Sequence, residues 1–248
     1  MKKTIRKAVN GFKRETIAKF IKTAKSALKH YRERIENGDA LKVCITSGNV
    51  KIGRVMNVSL LPIVTCANCR ECKRLCYDIK ACLQYVCVLM ARARNTALAM
   101  YNRDEYFRQI AAKLSRRKTR KFFRWHVGGD IPDYDYFERM IAVAEAFPDF
   151  RFWTYTKNYG IVNLYCARHG GSKDCVPSNL VVMFSKWDGM KMLNPYGFPE
   201  FYCKLPDGNK DTTEEEFSKM HKCPGNCEIC LATGRGCPFA ETSVANAH

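Results

Sequence analysis

Cysteine is the residue whose number and spacing promise most chemistry here, with fourteen in a chain of 248 residues. Eight of them fall into two tight groups. Cys66, Cys69, Cys72 and Cys76 lie within eleven residues, and Cys223, Cys227, Cys230 and Cys237 within fifteen. Thiols this close along the chain close small, strained rings as disulfides, yet they wrap easily around one metal ion or cluster. The start of the chain carries no apolar block of the export type, so a reducing, cytoplasmic setting is expected, where grouped cysteines bind metal.

The first group reads Cys-x2-Cys-x2-Cys-x3-Cys, the spacing of the bacterial ferredoxin run, although Tyr77 stands where that run has proline. Arg70 and Lys73 offset part of the negative charge of a thiolate-bound centre. Four packed cysteines, with Cys82 and Cys87 close by, favour a 4Fe–4S cluster, and zinc is the alternative metal. The second group begins Cys223-x3-Cys227-x2-Cys230, the spacing that radical-SAM enzymes use for a three-ligand cluster. Cys237 adds a fourth ligand and makes this a closed auxiliary site, zinc or iron–sulfur, with Cys203 as a further candidate. One or two centres are therefore expected.

A third set of residues is polar and follows short apolar runs. His126 and Gly128-Gly129-Asp130 come after Phe122–Val127. Thr154, Thr156 and Lys157 end the run Phe152–Thr156, and Ser185, Lys186 and Asp188 end Leu180–Ser185. In a parallel α/β sheet, ligands bind beyond the carboxyl ends of the strands. Gly128 and Gly129 would let backbone approach a ligand, and Asp130 would accept a hydrogen bond from an ammonium or hydroxyl group. Gly-Gly-Asp also suits a turn with a helix cap, and His126 suits a packed strand residue as well as a ligand or acid–base group; with Asp130 and Lys157 it is a candidate catalytic residue.

The elements that must position these residues alternate. A strand over 54–61 leads into the first cysteine group, and helical stretches cover 80–101 and a segment capped by Asp104. Strand 122–127, helix 133–147, strand 152–156, helix 159–168 and strand 180–185 imply parallel pairing. Four strands, five at most, suit an α/β fold: a partial, incomplete TIM-like barrel or a small parallel sheet with flanking helices. Beyond Trp187 the chain is loop-rich, with a capped helix near 213–220 before the last cysteines. The expected organisation is a basic amphipathic helix in 1–40, an α/β core in 41–200 and a Cys-rich metal-binding segment in 201–248.

Charge adds a partner. The chain has 42 Lys and Arg against 24 Asp and Glu, a formal +18. Residues 1–35 hold twelve Lys or Arg (among them Lys2, Lys3, Arg6 and Lys7) against Glu15 and Glu33, a net +10. Ile17, Phe20, Ile21, Ala24, Leu28, Tyr31 and Ile35 form one apolar helical face, with Lys19, Lys22, Lys25, Lys29 and Arg32 opposite and a left-handed stop at Asn37-Gly38. Such an excess fits nucleic acid. No run of apolar residues is long enough to span a membrane.

Asn57-Val-Ser-Leu-Leu-Pro62, the run to Cys76-Tyr77, Arg124-x-His126-x-Gly128-Gly-Asp130 and Arg151-Phe-Trp-Thr-Tyr-Thr-Lys157 resemble the phage and plasmid "gene product 88" family over roughly residues 45–235. The resemblance implies a mobile-element origin. A more distant similarity is to the radical-SAM barrel, where a cluster loop follows the first strand and a Gly-Gly-acid turn follows the second. That similarity implies S-adenosylmethionine as a cofactor and a place for its amino group at Asp130. Cys69, Cys72 and Cys76 would then hold the cluster, with Thr156, Lys157 and Ser185 lining the pocket. The first group departs from the radical-SAM spacing, and four bound cysteines would leave no iron open. The expectation is thus a radical-SAM-like iron–sulfur protein acting on or with nucleic acid, against a non-enzymatic nucleic-acid-binding protein with structural metal sites.

Overall fold

The structure is a computed structural model and describes residues 11–49, 52–69 and 72–247. Lys2, Lys3, Arg6, Lys7 and Arg70 lie outside the described residues. Strands β1 (Met56–Asn57), β2 (Phe122–Arg124), β3 (Arg151–Thr156), β4 (Leu180–Lys186), β5 (Glu200–Lys204), β6 (His221–Lys222) and β7 (Ser243–Asn246) build one sheet. Its order is β1-β2-β3-β4-β5-β7-β6 and every pair is parallel, which makes a half-barrel. Helices α1 (Arg14–Glu36), α2 (Tyr77–Gln84), α3 (Val86–Tyr101), α4 (Arg103–Ser115), α5 (Tyr134–Ala146), α6 (Tyr159–Arg168), α7 (Glu214–Ser218) and α8 (Cys227–Thr233) flank it.

Side-chain alternation along β3 and β4 assigns the two faces. Phe152, Val182 and Phe184 join the large core with Tyr136, Phe137 and Met140 of α5 and Val162 of α6. Trp153, Val181 and Met183 face the other way and pack with Cys237, Cys227 and Leu231. The second cysteine group is therefore pressed against the face of the sheet opposite the main helical layer. Strands buried on both faces read as continuous apolar runs, which is why β3 and β4 stand out in the sequence.

Caps and stripes fix the helices. Asp133 accepts from the Tyr136 amide at 2.9 Å and starts α5 where the sequence predicts. Thr213 and Glu216 form a reciprocal capping box at α7. Helix α1 buries Ile17, Phe20, Ala24, Ala27, Leu28 and Tyr31 against α3, and Gly38 (φ +83°) follows as the left-handed stop. Lys19, Lys22, Lys25, Lys29 and Arg32 are exposed on its other side.

Several expectations need correction. The helix expected over 80–101 is two helices, because Tyr85 is extended (φ −129°, ψ 109°) between α2 and α3. Asn102, not Asp104, precedes α4; Asp104 lies in its first turn and pairs with Arg139. Pairing in the 54–61 strand is confined to Met56–Asn57, after which Leu61 donates its amide to Thr96 Oγ1 at 2.8 Å. Strand β2 stops at Arg124, and His126 follows with φ +50°. The sheet has seven strands where four or five were expected, because 201–248 adds β6, β7 and most of β5 to the same sheet. Among the described residues no helix is long and apolar enough to cross a membrane.

Candidate functional site

The carboxyl ends of β1, β2 and β3 meet at one edge, and hydrogen bonds knit their loops together. After β1 the chain runs through Ser59, Leu60 and Thr65 into the cysteine loop. Leu60 donates its amide to the Gly128 carbonyl at 2.9 Å, and Ser59 Oγ accepts from the Gly128 amide at 3.2 Å. Thr65 Oγ1 accepts from the Asp130 amide at 3.2 Å, and Asn68 Nδ2 donates to the Lys157 carbonyl at 2.7 Å. The first cysteine group is thus tied to the strand ends that carry Gly-Gly-Asp and Thr-Lys.

Asp130 is the centre of this edge. Its Oδ1 accepts from Thr156 Oγ1 at 2.6 Å and from the Ile131 amide at 2.7 Å, while Oδ2 accepts from the Lys157 amide at 2.9 Å. Burial pushes the carboxyl group's affinity for its proton up, against the pull of Thr156 and the Lys157 amide. A carboxylate offers about four lone-pair positions. Three are used internally, by Thr156, Ile131 and Lys157, and the carboxylate is buried.

Lys157 stands against the thiols. Burial lowers its basicity, and the negative potential of Cys72, Asp130, Cys66 and Cys76 more than restores it. Its ammonium also lies 5.8 Å from the centre of the Trp187 ring. Burial raises the pKa of each of the four thiols, Cys76 to about 12, because uncompensated thiolates are costly there. Cys203 of β5, likewise pushed up to about 12 by burial, is within electrostatic reach of Lys157 and Cys72. A cation held by these thiols would relieve that cost, and the donor set fits a thiolate-bound cluster.

The other expected residues sit differently. Gly128 and Gly129 are needed by the chain's own packing. A Cβ on Gly128 would lie 1.8 Å from Asp78 Oδ2, and one on Gly129 (φ +83°) 2.8 Å from both Leu60 Cβ and Thr65 Oγ1. Asp78 is held in turn by Arg92, at 3.1 and 3.4 Å, in a buried pair. His126 is buried, with Nδ1 3.2 Å from Thr154 Oγ1 and Nε2 3.0 Å from the Tyr136 hydroxyl. Burial and Arg124 hold its pKa down to about 3, so its imidazole is neutral. Ser185 is buried one strand further along, its carbonyl accepting from the Tyr159 hydroxyl. Cys82 is buried in α2 and Cys87 is exposed on α3.

The second group gathers on the opposite face of the sheet. Cys237 contacts the Tyr155 and Ser243 hydroxyls, and Cys230 lies in the field of Cys237, Cys227 and Cys223. Arg124 reaches Cys227 Sγ at 3.8 Å and stacks over the Tyr155 ring at 4.7 Å. Among the described residues no three Cys, His, Asp or Glu side chains are set in finished metal-site geometry. The thiols are gathered into two neighbourhoods, within each of which they influence one another electrostatically. Arg124 and His221 escaped sequence reasoning. The motif around Arg124 was visible, but its side chain's direction follows only from the strand register, and His221 stands just two residues before Cys223.

The fold, with one cysteine group at the strand ends and the other on a face of the sheet, defines a parallel half-barrel α/β protein with two cysteine-rich neighbourhoods. The chain belongs to the gene product 88 family, whose profile matches residues 22–198, more than half of its length. No curated protein and no solved structure matches it significantly.

Proposed function

We propose that this chain is an iron–sulfur protein of a phage or mobile element, radical-SAM-like, acting on or with nucleic acid. One observation carries the reading. The cysteine loop after β1 is hydrogen-bonded to the Gly-Gly-Asp turn after β2 and to the Thr-Lys end of β3, at the carboxyl edge of a parallel half-barrel. Cys69, Cys72 and Cys76 would hold the cluster, leaving Cys66 on the side of Asp130. When bound, the cluster supplies one electron at low potential to S-adenosylmethionine.

The chain's own residues then have separate tasks. Asp130 is held rigid by Thr156 and by the Lys157 and Ile131 amides, and its carboxylate suits the cofactor's ammonium group. Lys157 supplies positive charge that stabilises the added electron beside the thiolates. Gly128 and Gly129 let the turn after β2 approach the segment that follows β1 closely. His126, neutral and bonded on both nitrogens, fixes the start of the β2 turn rather than moving a proton. The exposed lysines of α1 provide the polyanion-facing surface.

Calorimetry with S-adenosylmethionine on anaerobically reconstituted protein tests this. Binding that weakens in Asp130→Asn while nucleic-acid affinity is kept supports the enzyme. No binding to cluster-loaded wild type refutes it and leaves a nucleic-acid-binding protein with structural metal.

A further inference from the structure

The second cysteine neighbourhood contains a histidine, His221, close to one of its thiols. His221 is anchored at the edge of the sheet. Its amide donates to the Thr242 carbonyl at 3.1 Å, and the Cys223 amide to the Val244 carbonyl at 2.8 Å. This pins the strand from which the imidazole projects. His221 Nε2 lies 3.8 Å from Cys230 Sγ. Two ligands sharing one tetrahedral zinc, with Zn–N about 2.0–2.1 Å and Zn–S about 2.3 Å, stand roughly 3.6 Å apart. The observed pair is therefore already at the spacing that a shared zinc requires.

Both atoms converge over a residue with no side chain. A Cβ on Gly236 (φ +79°) would fall 2.8 Å from His221 Nε2 and 3.0 Å from Cys230 Sγ. Glycine there keeps the space between imidazole and thiol open, directly before Cys237. The ring's other nitrogen is oriented. His221 Nδ1 is 3.4 Å from Glu241 Oε2. Glu241 is itself immobilised, by the Arg235 guanidinium at 2.5 and 3.0 Å and by the Gly236 amide at 2.7 Å. At 3.4 Å the Nδ1 approach is a close contact rather than a formed hydrogen bond. A carboxylate on that side favours the proton on Nδ1, which leaves the Nε2 lone pair for a metal, as such carboxylates orient metal-binding histidines in general.

Resting on the reading of this group as a metal centre, we propose that it is a mixed nitrogen–sulfur zinc site. In it His221 Nε2 and three of the four thiols, Cys230 among them, are the ligands, and Glu241 is the positioning carboxylate. Imidazole among thiolates suits a tetrahedral zinc, and four protein ligands make a closed, structural site. Zinc there would join β6 to α8 and the turn at Cys237, fastening the C-terminal segment to the face of the sheet.

Zinc-edge X-ray absorption on the full chain, purified without oxygen, reads the ligand set directly. One nitrogen and three sulfurs, at about 2.0–2.1 and 2.3 Å, are expected for the wild type. Glu241→Gln should weaken zinc binding about 10- to 100-fold while keeping the same shell. His221→Ala should lose zinc, and His221→Cys should regain it with an all-sulfur shell, which separates ligand loss from misfolding. An all-sulfur shell in the wild type overturns the proposal alone, as does His221→Ala holding zinc as tightly as wild type while Cys230→Ser loses it. Wild-type protein without zinc overturns the proposal together with the reading of the group as a zinc centre, and leaves the first cysteine group untouched.

Discussion

Replacing Gly128 with alanine probes the contact that joins the cysteine loop to the strand ends. The added Cβ would stand 1.8 Å from Asp78 Oδ2 and 2.1 Å from Asp78 Cγ, where ordinary contact needs well over 3 Å. Asp78 cannot swing aside freely, since Arg92 holds both its oxygens and the pair is buried, with side-chain exposures of 13% and 3%. Displacement therefore either compresses the turn, at about 1–3 kcal/mol, or separates a buried ion pair, at about 3–5 kcal/mol. The expected loss is about 1–3 kcal/mol in urea denaturation if the turn yields and up to about 5 kcal/mol if the ion pair separates. Asp78 is two residues beyond Cys76, so metal loading of the first group should fall as well. A double-mutant cycle isolates the cause. Asp78→Ala is destabilising by itself because it strands Arg92, but it removes the obstacle to the new methyl group. The two changes together should cost less than their sum by about 1–3 kcal/mol. Unchanged stability in Gly128→Ala, or strict additivity, would refute the close approach of the two loops.

Other perturbations test separate parts of the molecule. His126 is neutral when folded, with a pKa near 3 set by burial and Arg124; an unfolded imidazole titrates near 6.5. Between those values the unfolded chain takes up a proton that the folded one refuses, so stability present above pH 6.5 is lost as pH falls towards 3. The loss is on the order of 5 kcal/mol at the acid end. Replacing His126 with Asn should flatten the fall in denaturation midpoint across that range, and an unchanged slope would contradict a buried neutral ring. For the basic face of α1, changing Lys19, Lys22, Lys25 and Lys29 to Gln should reduce the salt slope of duplex binding by up to about 3.6, at about 0.9 per lost phosphate contact. An unaltered slope would move the nucleic-acid surface elsewhere. Lys157→Gln should shift the midpoint potential of the first centre to more negative values, read by spectro-electrochemistry, and an unchanged potential would separate the lysine from the thiols.

Local signals carried much of the fold. Strands β3 and β4 were legible as continuous apolar runs ended by polar residues, and helix α5 by its apolar period and its cap. Asp133 before α5 is the plainest case. The break at Tyr85 left no mark, since neither proline nor glycine occurs there and its extended backbone sits at an exposed position without a local sequence signal. Strands β5, β6 and β7 were hidden for another reason. They are short, half-exposed, and paired with partners far away in sequence, so a stretch with Pro195, Gly197, Pro206 and Gly208 reads as loop. At the first cysteine group, parallel topology pointed to the strand-end edge where the loop is hydrogen-bonded to Asp130 and Lys157. Direction stayed invisible. Whether Asp130 points at a ligand or at Thr156, and whether His221 points at solvent or at Cys230, depends on register and on neighbours contributed by other strands.

Iron, acid-labile sulfide and zinc content of the full chain purified without oxygen tests the central claim most directly. Brown protein with about four irons and matching sulfide per chain, lost when Cys69, Cys72 and Cys76 are changed to serine, is expected of a cluster held by the first cysteine group. Colourless protein carrying only zinc would contradict it.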